Sequence, residues 1–332
     1  MDKLLVICGP TSTGKTHWAL YLAKKFNGEI VSADSRQVYA GMDIGTGKEL
    51  PLGTKIRRRF FESHGHYVVN GINIWGYDLV SPKKEFSVSE YYKAASKIMA
   101  GIRKRKNLPI LVGGTGLYIK AIIDGIPTAG IPKNDRLRKH LASKSIVELY
   151  DILAQLDCLK AASLNSSDRK NPRRLIRAIE IAQWRVGNIS RSKKAEKKFC
   201  AMFDKNNILM LGLTLPKSEL DKKIKVRVNK RVDEKIDEEV KRLLKMGVKW
   251  DMQSMNSLGY KIWRGYFEGK KTKEQIIDKW TVDEKNYAKR QFVWFKKESG
   301  VIWFDVSEKK FPKNMEKLVE RWYNKMTNAK KD

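Results

Sequence analysis

The sequence predicts an open α/β sheet with helices on both faces, interrupted by an all-helical insertion. Short, branched-rich apolar runs bounded by Gly, Pro or charge recur at Leu4–Cys8, Glu29–Ser32, Pro109–Val112, Ile208–Leu213 and Val301–Phe304. Long stretches of helical spacing lie between them, and this alternation is that of a buried parallel sheet. From about Thr128 to Asn188 the strand pattern stops altogether.

The first unit is the clearest. A strand runs into a glycine-rich loop and then a helix over Thr16–Phe26, with Trp18, Leu22 and Phe26 on one face. Residues 67–75 carry Asn70-Gly71 between two β-prone runs, the signal of a tight antiparallel hairpin. Lying after the basic run Lys55–Arg59, it is expected to be an exposed decoration. Asp135–Ser143, Ser145–Leu164 and Pro172–Val186 read as helices, the last with Asn171 as N-cap and Pro172 at the first helical position. A Ser- and Lys-rich connector covers 188–206. After the Ile208 strand come a long charged helical region at 217–247 and helices near 259–268 and 272–299. The expected organisation is a core of residues 1–127 and 200–332 around an insertion of 128–199.

Charge narrows the function classes. Lys and Arg number 68 against 37 Asp and Glu, a net charge of +31. An enzyme handling one small anion needs far less, whereas a protein docking on a polyphosphate chain gains affinity and encounter rate from each neutralised phosphate. The cysteines, Cys8, Cys158 and Cys200, are far apart and without CxxC spacing. That excludes a zinc ribbon, argues against a disulfide framework and points to a reducing cytoplasm. The amino-terminal segment MDKLLVICGP has only a short apolar run, so neither a signal peptide nor a membrane span is expected there.

Gly9-Pro10-Thr11-Ser12-Thr13-Gly14-Lys15-Thr16 fits G-x-x-x-x-G-K-[ST] between a strand and a helix. The glycines let backbone N–H groups turn inward around an anion, and the helix adds its positive end. Lys15 reaches the terminal phosphate and Thr16 can ligate Mg²⁺. The fold class sharpens to a P-loop NTPase-like parallel sheet with flanking helices. ATPases and GTPases also need an acidic residue ending a second strand. Here the strand at 109–112 ends in Gly113-Gly114 and the strand at 208–213 in Gly-Leu-Thr. The carboxylate in position is Asp34, at the carboxyl edge where such sheets bind ligands. It could serve Mg²⁺ or act as a general base.

The motifs GPTSTGKT (9–16), SADSRQVYAGMDIGTGK (32–48), LVGGTGLYIKA (111–121), NPRRLIRAIEI (171–181), LGY (258–260) and YAKRQFVWF (287–295) occur in that order. Together they resemble the tRNA dimethylallyltransferase (tRNA isopentenyltransferase) family of the bacterial type, over the chain to about residue 305. The resemblance implies transfer of a dimethylallyl group from its diphosphate to the N6 amine of the adenosine beside the anticodon's 3′ end. The tRNAs concerned read codons beginning with U. The phosphate loop then cradles the leaving diphosphate, and Asp34 is the general base. Lys15, Thr13 and Arg231 are implied as further catalytic groups, with Mg²⁺ held at Thr16.

The resemblance also implies tRNA contacts by Asp34, Ser35, Arg36, Gln37, Thr115 and Arg290. In the insertion it implies contacts by Arg173, Arg174, Leu175, Ile176 and Arg177, and by a further position near Arg136 or Arg138, expected at Arg138. Three- and four-residue spacing would let Arg173, Arg174 and Arg177 track a phosphate backbone together. Departures are Arg173 where relatives commonly have Gln, Thr13 where many have Ser, and a longer 49–80 segment, to which no function is carried over. Trp294, at helical spacing, is expected in the core. A monomer without membrane attachment is expected. Competing readings are an adenylate isopentenyltransferase using free nucleotide, an ATP-dependent RNA kinase or motor, and a non-catalytic RNA-binding protein.

Overall fold

The computed structural model describes residues 2–51, 53–57, 64–188 and 199–325. It divides into two compact units, residues 1–123 with 202–332 and residues 124–201.

The larger unit is built on a seven-stranded sheet of order β3-β4-β2-β5-β1-β6-β7. The strands are β1 (Leu4–Cys8), β2 (Gly28–Ser32), β3 (His66–Val69), β4 (Ile72–Trp75), β5 (Leu108–Val112), β6 (Ile208–Thr214) and β7 (Val301–Asp305). All neighbours are parallel except β3 with β4. β1, β2 and β5 are buried along their whole length, which is why they read as unbroken apolar runs. Their carboxyl ends lie side by side because β5 pairs with both β1 and β2. The phosphate loop, Asp34 and Gly113-Gly114 therefore leave the sheet along one edge.

The hairpin is not a decoration. Asn70 and Gly71 make the tight turn with positive φ of 51° and 80°. β4 then pairs in parallel with β2, which adds the hairpin to the sheet. The side chains decide this, since Tyr67, Ile74 and Trp75 are buried. The Trp75 indole N–H donates to the buried Glu29 carboxylate (2.7 Å). Arg58 and Arg59 of the preceding basic run lie outside the described residues.

Glu29 also accepts from Arg105, Asn73 and Asn107. Burial alone would raise its carboxyl, but these donors outweigh burial and hold it down to about 2. Its folded value thus lies below its unfolded one of about 4.3. The stabilisation is complete above that unfolded value and is lost as pH falls through about 2. Glu29→Ala removes the shared acceptor of Trp75, Asn73, Asn107 and Arg105 and is expected to destabilise the fold by about 1–3 kcal/mol, read as a lower urea midpoint.

The helix Phe311–Asn324, which sequence reasoning did not anticipate, packs Phe311, Met315 and Val319 into the same core. The buried Lys3 ammonium donates to its last carbonyls, those of Trp322 (2.7 Å) and Tyr323. The 217–247 region is two helices, Lys217–Asp233 and Ile236–Lys245, broken at Lys235 (φ 66°).

The smaller unit is helical and has its own core of Leu141, Leu149, Leu153, Leu164, Leu175 and Ile179 among others. Asn171 caps Pro172–Gly187 by accepting from Arg174 N, as its position predicts. The stretch expected as one helix over 145–164 is two, Ile146–Leu156 and Cys158–Ser163. Asp157 breaks it by turning its side chain to cap the second. Among the described residues no helix is long and apolar enough to cross a membrane.

Candidate active site

The phosphate loop starts where β1 ends. Gly9 has φ 129° and lies against the Leu213 carbonyl, so a side chain there would meet β6 backbone. Ser12 and Gly14 are left-handed, and Gly14 opens the helix Lys15–Lys25. Thr13 Oγ1 donates to the Pro10 carbonyl (3.0 Å), and Lys15 Nζ donates to the same oxygen (2.5 Å). Lys15 thus lies folded across the loop, ready to swing to an anion. Burial and the neighbouring Arg227 charge pull its ammonium down to about 8, against a smaller opposing pull from Asp34.

A cavity of about 570 Å³ opens over this loop. Lys15, Thr16, Asp34, Arg36, Gln37, Arg227, Arg231 and Arg290 all line it, with Gly47 and Gly113 closing its sides. Asp34 Oδ1 accepts from Arg36 N (2.8 Å), which orients the carboxylate. Oδ2 has no protein partner among the described residues, so one oxygen is available to take a proton. Gln37 bridges Ser32 Oγ (2.8 Å) and the Gly47 carbonyl (3.1 Å), and Arg36 reaches the Gln253 carbonyl (3.2 Å).

Thr115 Oγ1 accepts from Ser35 N (3.0 Å), tying the loops after β2 and β5 together. Arg290 stacks its guanidinium over Tyr287 (5.8 Å) and is exposed at the mouth. Trp294 is not core as expected. It is 39% exposed and lies across Gly116, where any side chain would collide with its indole.

Two arginines one turn apart on the helix Lys217–Asp233 face the loop. Arg231 is buried, donates to Glu284 Oε1 (3.0 Å) and stacks on Trp280 (5.6 Å). Arg227, which sequence reasoning missed, donates to Thr11 Oγ1 (2.6 Å) and the Gly47 carbonyl (3.3 Å). The Nε of each is buried without a hydrogen-bond partner, as is Ser12 Oγ. Open donors gathered around a phosphate loop suit an anion bound there. Gln291, also missed, is buried between the loop and the sheet. It accepts from Thr11 N (2.8 Å) and donates to the Gly114 carbonyl (3.0 Å). Signals for both were present: Arg227 precedes Arg231 by four residues, and Gln291 lies inside YAKRQFVWF.

The insertion residues belong to the other unit. Glu180, buried there, takes a two-bond grip from Arg138 (2.6 and 2.7 Å) and a further bond from Arg177 (3.1 Å). Arg177 also donates to the carbonyls of Thr128 and Ile131. Arg177 therefore does not join Arg173 and Arg174 in an outward-facing row: a carboxylate three residues along its own helix turns it inward. Leu175 is fully buried in that unit's core and offers no side chain to RNA, and Ile176 packs against the same core. Arg174 pairs with Asp168, and both Arg173 and Arg174 are exposed.

Among the described residues no group of three His, Cys, Asp or Glu could hold a metal ion alone. The Thr16 hydroxyl at the cavity and the buried Ser12 hydroxyl suit a hard cation that takes its other oxygens from a bound diphosphate and water.

The IPP transferase family model matches residues 37–298. The chain belongs to that family. A tRNA dimethylallyltransferase of Anoxybacillus flavithermus is 37% identical over 92% of this chain and 91% of its own. One of Caldicellulosiruptor saccharolyticus is 38% identical over 96% of each. The crystal structure of a full-length tRNA isopentenylpyrophosphate transferase from Bacillus halodurans superposes with a TM-score of 0.66 at 32% identity, covering all of both chains. A eukaryotic dimethylallyltransferase captured acting on tRNA shares the fold, with a TM-score of 0.72 at 23% identity over 92% of this chain and 74% of its own.

Proposed function

We propose that the protein transfers a dimethylallyl group from dimethylallyl diphosphate to the N6 amine of an adenosine in tRNA, the one 3′ to the anticodon in tRNAs reading codons that begin with U. The observation that carries this is that Asp34, the phosphate-loop residues, Arg227 and Arg231 line one and the same cavity. The curated relatives that carry the name tRNA dimethylallyltransferase support it.

The donor's diphosphate lies in the loop, held by its N–H groups, Lys15, Arg227 and Arg231. The target base leaves the anticodon-loop stack to reach the cavity. As N6 bonds to the allylic carbon, the carbon–oxygen bond to diphosphate breaks and its electron pair leaves with the diphosphate. Asp34 takes the N6 proton, which the weakly nucleophilic aromatic amine must shed. Lys15, the loop N–H groups and the two arginines meet the charge that develops on the leaving group. Mg²⁺ bound by Thr16 would neutralise part of that charge.

Arg36, Gln37 and Arg290, which line the cavity, would touch the extruded base or its neighbours. Arg173 and Arg174 in the insertion, both exposed, would touch phosphates. We expect a monomer working in the cytoplasm. The test offers the protein labelled donor with either AMP or an unmodified anticodon stem-loop. Label in the stem-loop alone is expected; label in AMP alone would establish the free-nucleotide reading instead.

A further inference from the structure

The segment 41–47, GMDIGTG, forms one wall of the cavity through Gly45, Thr46 and Gly47, yet a helix outside the cavity holds it. Glu239, on Ile236–Lys245, is 6% exposed. Its Oε2 accepts from Asp43 N (3.0 Å) and Ile44 N (3.1 Å), and its Oε1 accepts from Gly45 N (3.2 Å). Three consecutive backbone N–H groups thus converge on one carboxylate, as they otherwise converge on a bound anion. The Tyr260 hydroxyl donates to Oε1 as well (2.5 Å). Its ring presses on Gly45, and Gly259 backs directly onto the Gly45 carbonyl. Arg242 of the same helix donates to the Gly41 carbonyl (2.7 Å).

At the far end of the segment, Gly47 (φ 64°) lies against both the Arg227 and Arg231 guanidiniums, and its carbonyl accepts from Arg227. We propose that Glu239 is a positioning residue: it builds the turn at 43–45 so that Gly47 seats Arg227 and Arg231 over the phosphate loop for the donor's diphosphate. Tyr260 supports Glu239, which gives the LGY motif its role. This rests on the proposed function for the identity of the anion, while the seating of the arginines is testable with any diphosphate.

Glu239→Gln keeps the shape but leaves one oxygen for three N–H groups: with the amide oxygen kept on Asp43 N and Ile44 N, its NH2 faces Gly45 N and the Tyr260 hydroxyl, and the negative charge is gone. It is measured two ways, by inorganic pyrophosphate binding with Mg²⁺ and by steady-state transfer to a stem-loop. Pyrophosphate affinity and the KM for dimethylallyl diphosphate are expected to worsen about tenfold, with the KM for RNA unchanged. In a double-mutant cycle with Arg227→Ala, the two losses are expected to be less than additive, because both act on one guanidinium. A general structural defect would give additive losses and shift the RNA KM too.

If Glu239→Gln fails to fold, Tyr260→Phe, which leaves the carboxylate intact, is expected to show the same pattern at about two- to threefold. Unchanged pyrophosphate affinity in a folded variant, or a loss confined to RNA, would overturn the proposal. Normal pyrophosphate losses with no transfer by the unmutated protein would overturn the proposed function and leave the positioning role standing.

Discussion

Replacing Asp34 with asparagine is expected to slow transfer to an anticodon stem-loop by about 10²–10⁴-fold, the range for removing a positioned general base. The variant is nearly isosteric, and its side-chain oxygen can still accept from Arg36 N, so the loop after β2 keeps its course. It cannot take up the N6 proton. Pyrophosphate affinity is expected to hold or rise slightly, because a negative charge beside the phosphate loop is removed. Single-turnover rates with saturating donor and RNA isolate the chemical step. A folded Asp34→Asn protein within about twofold of the unmutated rate would show that the proton goes elsewhere.

Lys15→Met is expected to lower kcat/KM by about 10²–10³-fold, since it removes the ammonium that lies folded across the loop. The pH dependence offers a second handle. Burial, with Arg227 nearby, draws Lys15 down to about 8. The anion needs the protonated amine, so pyrophosphate affinity of the unmutated protein is expected to fall as pH rises through about 8. Lys15→Met should lose this limb. Arg227→Ala, by removing the like charge, should move the limb to higher pH. Calorimetric titration across pH 6–10 reads all three proteins, and a limb that persists in Lys15→Met would assign it to another group.

Local chemistry was the legible part of the fold and site. The phosphate loop is legible because its conformation depends on glycines at fixed spacing, and the Asn171 cap because one side chain satisfies a neighbouring N–H. Asp34 could be placed at the sheet's carboxyl edge because a short apolar run precedes it. Partners distant in sequence were not legible. Asn70-Gly71 specifies a turn, but the pairing of β4 with β2 depends on burying Tyr67, Ile74 and Trp75, and on Trp75 reaching Glu29. Arg138 reads as a tRNA contact, and its grip on Glu180, 42 residues on, is visible only in the folded chain. Trp294 has core spacing, yet the glycine opposite it lets it lie on the surface. Arg227 and Gln291 sit beside recognisable motifs, but only the folded chain brings them against Thr11.

On the proposed function, the diphosphate site and Asp34 serve one reaction on an RNA base. The most direct measurement is mass spectrometry of nucleosides from unmodified tRNA incubated with the protein, Mg²⁺ and dimethylallyl diphosphate. N6-isopentenyladenosine is expected in tRNAs reading codons that begin with U, and its yield should collapse with Asp34→Asn. Its absence from every such tRNA, with protein shown to bind pyrophosphate, would contradict the account.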